Sequence, residues 1–370
     1  MSVLSGDSCV LLTGATGLIG GEVLRALLDL GVRKVWTLVR AEEHTTPVGR
    51  LLVRMRRSGA DLNGTTDFVH AVVGDTRSAE LGLPRDDVER IRGAIDFVIH
   101  CAGATSFIRD AECVDTNIAG MRNLIDFVRR CERNPMIVYV STAANSGAVT
   151  HACLGEDDGC KPDGDHHNEY TRSKAVAERM LLDSGLPALV VRPSIVLSAG
   201  LPDRVFARTI LWFVPLLQNF DAVPIDPSSR LDIVPVDFVA RSIIALMAAR
   251  DRRWKCYHLS AGPRGATTCE AFSRYLDDFF RRENPLCLVP PDQWDGHLRR
   301  RHVRARHQRR LFGTFRYYLP FINMDIVYDN ARLREEIGDD GVMVPGVTEY
   351  AGNLLRLITM EEAEAQSLNP

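Results

Sequence analysis

The sequence lacks a hydrophobic run long enough to cross a bilayer. Its longest apolar stretch runs only from Ile210 to Leu217 and contains Pro215, whereas a transmembrane helix needs about 20 apolar residues. No basic segment precedes Thr13, so we expect no signal peptide. These absences predict a globular protein without a transmembrane segment, and they leave peripheral membrane contact open.

Paired cysteines are also lacking. The nine cysteines are scattered along the chain with no Cys-x-x-Cys pair, which is typical of free thiols in a reducing compartment. We therefore expect a cytoplasmic location. The polar loop between Thr142 and Tyr170 contains histidines and cysteines, but their spacing fits no standard ligand pattern, so we expect no metal.

A large excess of charge of one sign is absent as well. The formal net charge is -3, which gives no reason to expect a nucleic acid partner. The local exception is the segment from His297 to Arg310, with seven arginines and three histidines. Such a run is usually a solvated face. The alternative is contact with the phosphates of a CoA or carrier-borne substrate, or with an acidic carrier protein.

A glycine-rich turn follows the first apolar run. Residues Cys9 to Thr13 predict a buried strand, and the apolar spacing after Gly20 predicts a helix. Small residues between a strand and a helix let the backbone approach a pyrophosphate at the helix N-terminus. The sequence therefore predicts a dinucleotide site here, with contacts from Thr13, Gly14, Thr16, Gly17, Leu18, Ile19 and Gly20.

The second predicted strand, Lys34 to Val39, ends at a cation. Arg40 occupies the position where an acidic residue would bind the ribose 2′-hydroxyl of NAD. Together with Arg50 it suits a 2′-phosphate, so the sequence favours NADP(H). The alternative is a solvated Arg40, with Glu42 or Glu43 in the acidic role.

Later strands predict the rest of the cofactor site. Strands and helices alternate, which indicates an α/β fold with a doubly wound parallel sheet and ligands at the carboxyl ends of its strands. We expect a long helix from Phe107 to Arg130 that contains Asn117, and a strand from Cys256 to Leu259 at the sheet edge. The further residues expected at the cofactor are Asp75, Cys101, Ala102, Gly103, Ser141, Pro193 and Ile195.

The chain divides into two parts in this interpretation. Residues 1–196 form the nucleotide-binding domain, and residues 231–260 return to its sheet. Residues 197–230 and 261–370 form a smaller, mostly helical substrate lobe. The apolar centre of 197–230, with Trp212 and Phe213, suits a lid or lobe facing the substrate, and a plain core helix is the alternative.

Tyr170 and Lys174 are the predicted chemical centre. They lie one turn apart on one face of a predicted helix. An ammonium beside a phenol favours the phenolate, so we expect the pKa of Tyr170 to be lowered toward neutrality. The hydroxyl of Thr142 is expected to share this site.

These motifs together resemble the extended short-chain dehydrogenase/reductase superfamily, whose nucleotide-binding domain has the Rossmann fold. Further phrases narrow the resemblance to fatty acyl-CoA reductases and to terminal thioester reductase domains of nonribosomal peptide synthetases and carboxylic acid reductases. They are Leu38–Ala41, Val73–Asp75 followed by Leu81–Pro84, Val140–Ala144 and Leu231–Asp237. The resemblance implies catalytic positions for Thr142, Tyr170 and Lys174, a supporting one for Asn117, and cofactor contacts from Tyr170 and Lys174 as well.

The resemblance implies NADPH-dependent reduction of an acyl thioester, bound to CoA or to a phosphopantetheinyl carrier protein, to an aldehyde, which either leaves or is reduced again to an alcohol. No adenylation or carrier domain is recognised, so we expect a carrier to act in trans. Ala144 stands where the family has an aromatic residue, which indicates a reshaped pocket. Three alternatives stay open: a ketone or aldehyde reductase of the dihydroflavonol or hydroxysteroid type, a sugar-nucleotide epimerase or dehydratase, and a non-enzymatic NADP-sensing regulator.

Overall fold

A seven-stranded parallel sheet forms the centre of the described part of the molecule. The computed structural model describes residues 3–41, 45–57, 66–198, 213–338 and 344–356. In chain order the strands are β1 (Cys9–Thr13), β2 (Lys34–Val39), β3 (Val69–Val73), β4 (Phe97–His100), β5 (Met136–Val140), β6 (Ala188–Pro193) and β7 (Cys256–Leu259). Their order across the sheet is β7-β6-β5-β4-β1-β2-β3. The predicted doubly wound parallel sheet is therefore confirmed, with its order reversing between β1 and β4.

Helices cover both faces of this sheet. The main helices are α1 (Leu18–Asp29), α2 (Pro47–Arg57), α3 (Arg85–Ala94), α4 (Gly120–Val128), α5 (Glu169–Asp183), α6 (Val236–Ala248), α7 (Cys269–Phe279), α8 (Gly296–His302), α9 (Arg306–Phe315), α10 (Ala331–Ile337) and α11 (Val347–Leu355). Alternate residues of β1 point to opposite faces, because Val10 and Leu12 pack with α1 and α6, whereas Leu11 packs with α4 and α5.

The predicted helix from Phe107 to Arg130 begins later than expected. A short helix, Asp110–Cys113, leads into a π-helical stretch, Val114–Ala119, and then into α4. Such π-helical insertions widen one turn and are frequent at functional sites. Asn117 lies in this stretch.

The segment from Leu231 to Pro235 does not form one continuous strand. The structure has two short strands there, Arg230–Leu231 and Ile233–Pro235, and they pair with Thr267–Thr268 and Ile195–Leu197 rather than with the main sheet. Between them the buried carboxylate of Asp232 accepts backbone N–H groups from distant segments, which is why the strand does not continue. Of residues 231–260, β7 is the part that pairs with the seven-stranded sheet, on β6.

A second apolar core lies beyond the sheet, among residues of α7, α9 and α11 and of the segment from Phe213 onward. It includes Phe213, Phe272, Phe312 and Tyr350. The predicted lid around Trp212 falls mostly outside the described residues. Among the residues described, no helix combines the length and the hydropathy that a bilayer crossing requires.

Candidate functional site

The loop between β1 and α1 is shaped by glycine. Gly14 has a φ of +75°, and a Cβ on it would lie 2.6 Å from the backbone nitrogen of Ala102. A Cβ on Gly20 would collide with the carbonyl of Gly14. Gly17 is exposed at the N-cap of α1 and supplies no capping side chain. The first N–H groups of α1 are therefore free of a side-chain cap and suit an anion.

Thr13 lies beneath this loop rather than on its surface. Its buried hydroxyl accepts from the N–H of Ala102 at 3.2 Å and shares a hydrogen bond with Nδ1 of His100 at 2.8 Å. Burial, together with the Lys174 charge, lowers the pKa of His100 to about 3, so this imidazole is neutral. The sequence did not single out His100, since a buried histidine at a strand end carries no motif.

Two arginines lie together at the end of the second strand, and a third reaches the glycine loop. The guanidinium of Arg50 donates to the backbone carbonyl of Arg40 at 2.6 Å, so these two predicted residues lie together. Arg54 is buried and donates to the carbonyls of Gly17 and Leu18 at 3.1 and 3.2 Å. Sequence reasoning missed Arg54, whose position on α2 gives no sign that it reaches the glycine loop.

Asp75 pairs with a neighbouring cation. Both of its carboxylate oxygens accept from the Arg77 guanidinium, at 2.6 to 3.1 Å. Burial alone would raise the pKa of Asp75, but the hydrogen bonds from Arg77 and the nearby charge of Arg40 lower it below its usual value. The carboxylate is therefore ionised and already hydrogen-bonded.

Tyr170, Thr142 and Lys174 converge at the carboxyl end of β5. Tyr170 and Lys174 lie on α5, one turn apart. The Lys174 ammonium donates to the carbonyl of Val140 at 2.6 Å and lies 4.3 Å from the ring centroid of Tyr139. Burial lowers the pKa of Lys174 to about 8.

The pKa of Tyr170 is raised, which is opposite to the predicted direction. Burial raises it, and the nearby hydroxyl of Thr142 offsets only part of this effect. The sequence argument failed because the Lys174 ammonium is hydrogen-bonded to Val140. Tyr170 is consequently protonated at neutral pH.

Asn117 connects α5 to the end of β4. Its amide oxygen accepts from the N–H of Ala104 at 2.9 Å, and its amide nitrogen donates to the carbonyl of Ala104 and to the hydroxyl of Ser173 at 2.9 Å. That serine in turn donates to the carbonyl of Tyr170. A Cβ on Gly103 would lie 3.1 Å from the Asn117 oxygen and 3.7 Å from the Lys174 nitrogen. The half-buried Cys101 and Ala102 complete this strand end.

Ser141 faces away from this centre, into a buried ionic cluster. Its hydroxyl donates to the carboxylate of Glu178 at 2.6 Å, and Asn145 donates to the same oxygen at 2.7 Å. Arg192 donates to the other oxygen of Glu178 at 2.5 Å. The cluster fixes the chain on both sides of Thr142. Sequence reasoning missed it, because Glu178 and Arg192 lie inside elements that look uniformly amphipathic or apolar.

Aromatic rings and an apolar cavity lie on the other side of Tyr170. The Phe107 ring is 5.8 Å from the Tyr170 ring, 5.0 Å from Tyr318 and 4.6 Å from Phe321. Phe321 also lines a cavity in the second core. Its other lining residues are Ile195, Phe213, Val214, Leu217, Ile225, Leu231, Cys269, Phe272, Ser273, Leu276, Leu286, Leu288 and Ile322. Ile195 therefore faces this cavity, and Pro193 is buried at the end of β6.

The glycine loop at the first strand, together with the tyrosine and lysine on α5, defines an oxidoreductase of the extended short-chain dehydrogenase/reductase class. A family of NAD-binding domains described as Male sterility protein matches residues 12–243, and this chain belongs to that family. The predicted membership is thereby confirmed, and an NAD(P) cofactor follows from it.

Known relatives include multidomain synthetases and acyl-CoA reductases. The chain is 28% identical over 270 residues to a nonribosomal peptide synthetase, asaC, of Aspergillus flavus, an alignment that covers 68% of this chain and 26% of the synthetase. It is 27% identical over 325 residues to human fatty acyl-CoA reductase 1, covering 75% of this chain and 62% of the reductase. The chain thus spans about a quarter of the length of the synthetase and under two thirds of that of the reductase.

Among solved structures, the terminal R domain from the myxalamid PKS-NRPS biosynthetic pathway superposes with a TM-score of 0.80. The two share 21% identity, and the superposition covers 97% of this chain and 91% of the R domain. At this identity the likeness establishes a shared fold.

Proposed function

We propose that this chain uses NADPH to reduce an acyl thioester, carried by CoA or by a carrier protein, to an aldehyde and then to an alcohol. The observation that carries the proposal is the convergence of α5, which bears Tyr170 and Lys174, on the end of β5, where Lys174 donates to the carbonyl of Val140 at 2.6 Å just before Thr142. An apolar cavity lies beyond the rings that pack on Tyr170. Thioester-reducing relatives support the proposal, since synthetases and fatty acyl-CoA reductases align with most of this chain.

The residues present fit a dinucleotide. Gly14 and Gly20 leave no room for side chains, and the N-terminus of α1 offers N–H groups to a pyrophosphate. Gly103 is open to solvent beside Lys174, which suits a ribose lying against this strand end. The bound cofactor supplies hydride to the substrate. We assign the 2′-phosphate of NADPH to Arg40 and Arg50; the guanidinium of Arg50 donates to the backbone carbonyl of Arg40, directly after β2, which supports this assignment.

The catalytic roles follow from the hydroxyl groups. A thioester carbonyl accepts hydrogen bonds from Thr142 and Tyr170, which stabilise the negative charge that develops on its oxygen. Because the pKa of Tyr170 is raised, the phenol is available as the proton donor to that oxygen. Lys174 holds its charge beneath the site, and Asn117 fixes the backbone of Tyr170 through Ser173.

The products follow from the bonds that form and break when the thioester is reduced. Hydride adds to the carbonyl carbon and the oxygen takes a proton, which gives a hemithioacetal. Its hydroxyl then loses that proton as the carbon–sulfur bond breaks, so that an aldehyde and a thiol leave. Transfer of a second hydride and proton to the aldehyde gives the alcohol.

The apolar cavity favours an acyl group over the alternatives. Its lining contains no charged side chain, and a sugar nucleotide would leave many hydroxyls without partners there. A compact apolar ketone would satisfy the same cavity, so a ketone reductase is the second candidate. We assign substrate binding to the lobe formed by residues 197–230 and 261–370, of which 199–212 lie outside the described residues.

A coupled assay tests the proposal. NADPH oxidation is followed with acyl-N-acetylcysteamine thioesters of increasing chain length, while released thiol is measured with an aromatic disulfide reagent. We expect oxidation that requires the thioester and is matched by thiol, with kcat/KM rising as the chain lengthens. Oxidation with simple ketones and none with thioesters would replace the first candidate by the second.

A further inference from the structure

Helices α8 and α9 carry a strongly basic surface. We define the basic surface by its arginines, which are Arg299, Arg300, Arg301, Arg304, Arg306, Arg309 and Arg310. All seven are exposed. Across the described ranges, none of them is within ion-pair distance of a carboxylate. The segment His297 to Arg310 contains no acidic residue, although the whole chain is slightly acidic.

Some exposed arginines elsewhere on this molecule have acidic partners on their own helix. Arg274 pairs with Glu270 at 2.5 Å, and Arg241 pairs with Asp237 at 3.3 Å. On α9, by contrast, Arg306 and Arg310 are one turn apart with like charge, an arrangement that destabilises a helix by a few tenths of a kcal/mol. Since none of these cations has a carboxylate within ion-pair distance among the described residues, the basic surface points to an anionic partner outside the chain.

The basic surface is firmly held by the lobe. Val303, Leu311, Phe312 and Phe315 are buried in the second apolar core. Gln308 accepts from the N–H of Arg304 and of Ala305 and donates to the carbonyl of Asn219 at 2.7 Å. The arginines therefore project from a fixed frame and not from a loose tail.

The surroundings of the basic surface indicate which class of partner binds there. A membrane-binding helix needs an exposed apolar face. Among the described residues near α9, Tyr317 is the one large apolar side chain that is exposed, which is too little for such a face. A small phosphate ligand needs a concave site, but the recess between Arg301, Arg304 and Gln308 is also lined by Asp221. That carboxylate opposes a buried anion. A broad, exposed surface of cations fits the acidic face of a folded protein.

The basic surface is joined to Tyr170 through ring contacts. Phe315 of α9 is 4.8 Å from Phe213, and Phe213 is 5.7 Å from Tyr318. The Tyr318 ring stacks on Phe107, which stacks on Tyr170. A protein bound at the basic surface would thus lie a few side chains away from the proposed reaction centre.

We propose that the basic surface docks the acidic face of a carrier protein and thereby delivers its thioester to Tyr170. This inference rests on the proposed function, because it presupposes a thioester substrate. In this inference the arginines contact the partner protein itself and not the phosphates of CoA.

Three substrates with the same octanoyl group separate these possibilities. They are an octanoyl-loaded acidic carrier protein of a dissociated fatty acid synthase, octanoyl-CoA and octanoyl-N-acetylcysteamine. The variant is the double substitution Arg306→Glu and Arg310→Glu, with Arg306→Lys and Arg310→Lys as the charge-conserving control. A second control, Arg85→Glu with Arg250→Glu, reverses two exposed charges outside the basic surface. Thermal melting verifies that each variant is folded.

We expect the charge-reversed variant to lose at least about tenfold in kcat/KM for the carrier substrate alone, the scale of a few interfacial charges. The wild-type preference for the carrier over octanoyl-N-acetylcysteamine should also shrink between about 0.05 M and about 0.5 M salt. Both controls should behave as wild type.

Other patterns overturn the inference. Equal losses for the carrier and CoA substrates, with octanoyl-N-acetylcysteamine unaffected, would assign the arginines to phosphate. An unchanged kcat/KM with the carrier substrate, or an equal loss of kcat/KM with all three substrates, would exclude docking of a carrier protein at this surface. Failure of the wild type on every thioester would instead defeat the proposed function.

Discussion

The carboxylate of Glu178 and the guanidinium of Arg192 form an ion pair that is almost completely removed from solvent. Their side chains are 0% and 3% exposed, and Arg192 Nη2 lies 2.5 Å from Glu178 Oε1. Ser141 and Asn145 donate to the second carboxylate oxygen. The pair therefore holds the β5 end, where Thr142 lies, against α5, where Tyr170 lies.

Glu178→Gln should be strongly destabilising. The substitution leaves the buried Arg192 without its counter-charge, and breaking one partner of a buried pair typically costs about 3–5 kcal/mol. Urea denaturation measures this loss. Glu89→Gln is the matched control, since Glu89 pairs with Arg85 on an exposed helix face and should change the free energy of unfolding by under about 1 kcal/mol. Similar values for both variants would contradict the structural role of the buried pair.

Tyr170→Phe should abolish most turnover without loss of NADPH binding. The variant keeps the ring that stacks on Phe107 but lacks the proton donor, so we expect kcat to fall by about 10²–10⁴-fold. Stopped-flow measurement of NADPH oxidation with an acyl thioester gives the rate, and fluorescence titration gives the affinity. Tyr317→Phe, at an exposed position, should be neutral. Wild-type rates in Tyr170→Phe would exclude the phenol as the proton donor.

Arg40→Ala should weaken NADPH more than NADH. Loss of a charge-assisted contact to a 2′-phosphate costs about 1.5–3 kcal/mol, or roughly 10- to 150-fold in affinity. NADH lacks that phosphate, so its dissociation constant should stay the same. Both constants are measured by fluorescence titration, with Arg85→Ala as the control. Equal weakening of the two cofactors would refute the assignment of Arg40.

Activity should decline above a pH of about 8. Burial lowers the pKa of Lys174 to about 8, so its positive charge is present below this pH and disappears as the pH rises through it. The pKa of Tyr170 is raised instead, so the phenol does not ionise in this range. We expect kcat/KM to fall up to tenfold per pH unit on the alkaline side. A profile that stays level up to about pH 10 would argue against a role for the Lys174 charge.

Asp232→Asn should loosen the junction of the short strands. One carboxylate oxygen accepts from the N–H of Ala261 at 2.8 Å, and the other accepts from the N–H of Tyr328 at 3.1 Å. An asparagine has a single acceptor oxygen, so one buried N–H would lose its partner, at a cost of about 1–3 kcal/mol. Asp251→Asn, at an exposed site, is the control for urea denaturation.

The pH dependence of unfolding gives a second measure of Asp232. Burial raises its pKa to about 6 despite the N–H groups that it accepts. The folded state therefore keeps this proton at a higher pH than the unfolded state, and the contribution of Asp232 to stability falls as the pH rises from about 4 to about 6. The Asn variant should lack this contribution. Parallel pH profiles for both proteins would contradict the raised pKa.

Much of the sheet could be predicted because buried parallel strands are continuous apolar runs. The bounds of β1, β2 and β7 are those that the sequence predicted, and the glycine spacing located the first loop. The break between the two short strands at Asp232 could not be predicted, because this carboxylate accepts hydrogen bonds from N–H groups of residues far away in the chain. The same reason hid Arg54 and the pair of Glu178 and Arg192. The pKa direction of Tyr170 was wrong because spacing on a helix says nothing about burial or about where the Lys174 nitrogen points.

Leu18, the first residue of α1, packs against the second apolar core. The same short segment thus belongs to the loop that we propose for the dinucleotide and to the apolar core around the cavity that we propose for the acyl group. A ligand that rigidifies this segment at one site lowers the entropic cost of ordering it for the ligand at the other site. We therefore expect nucleotide and acyl donor to bind with positive heterotropic cooperativity.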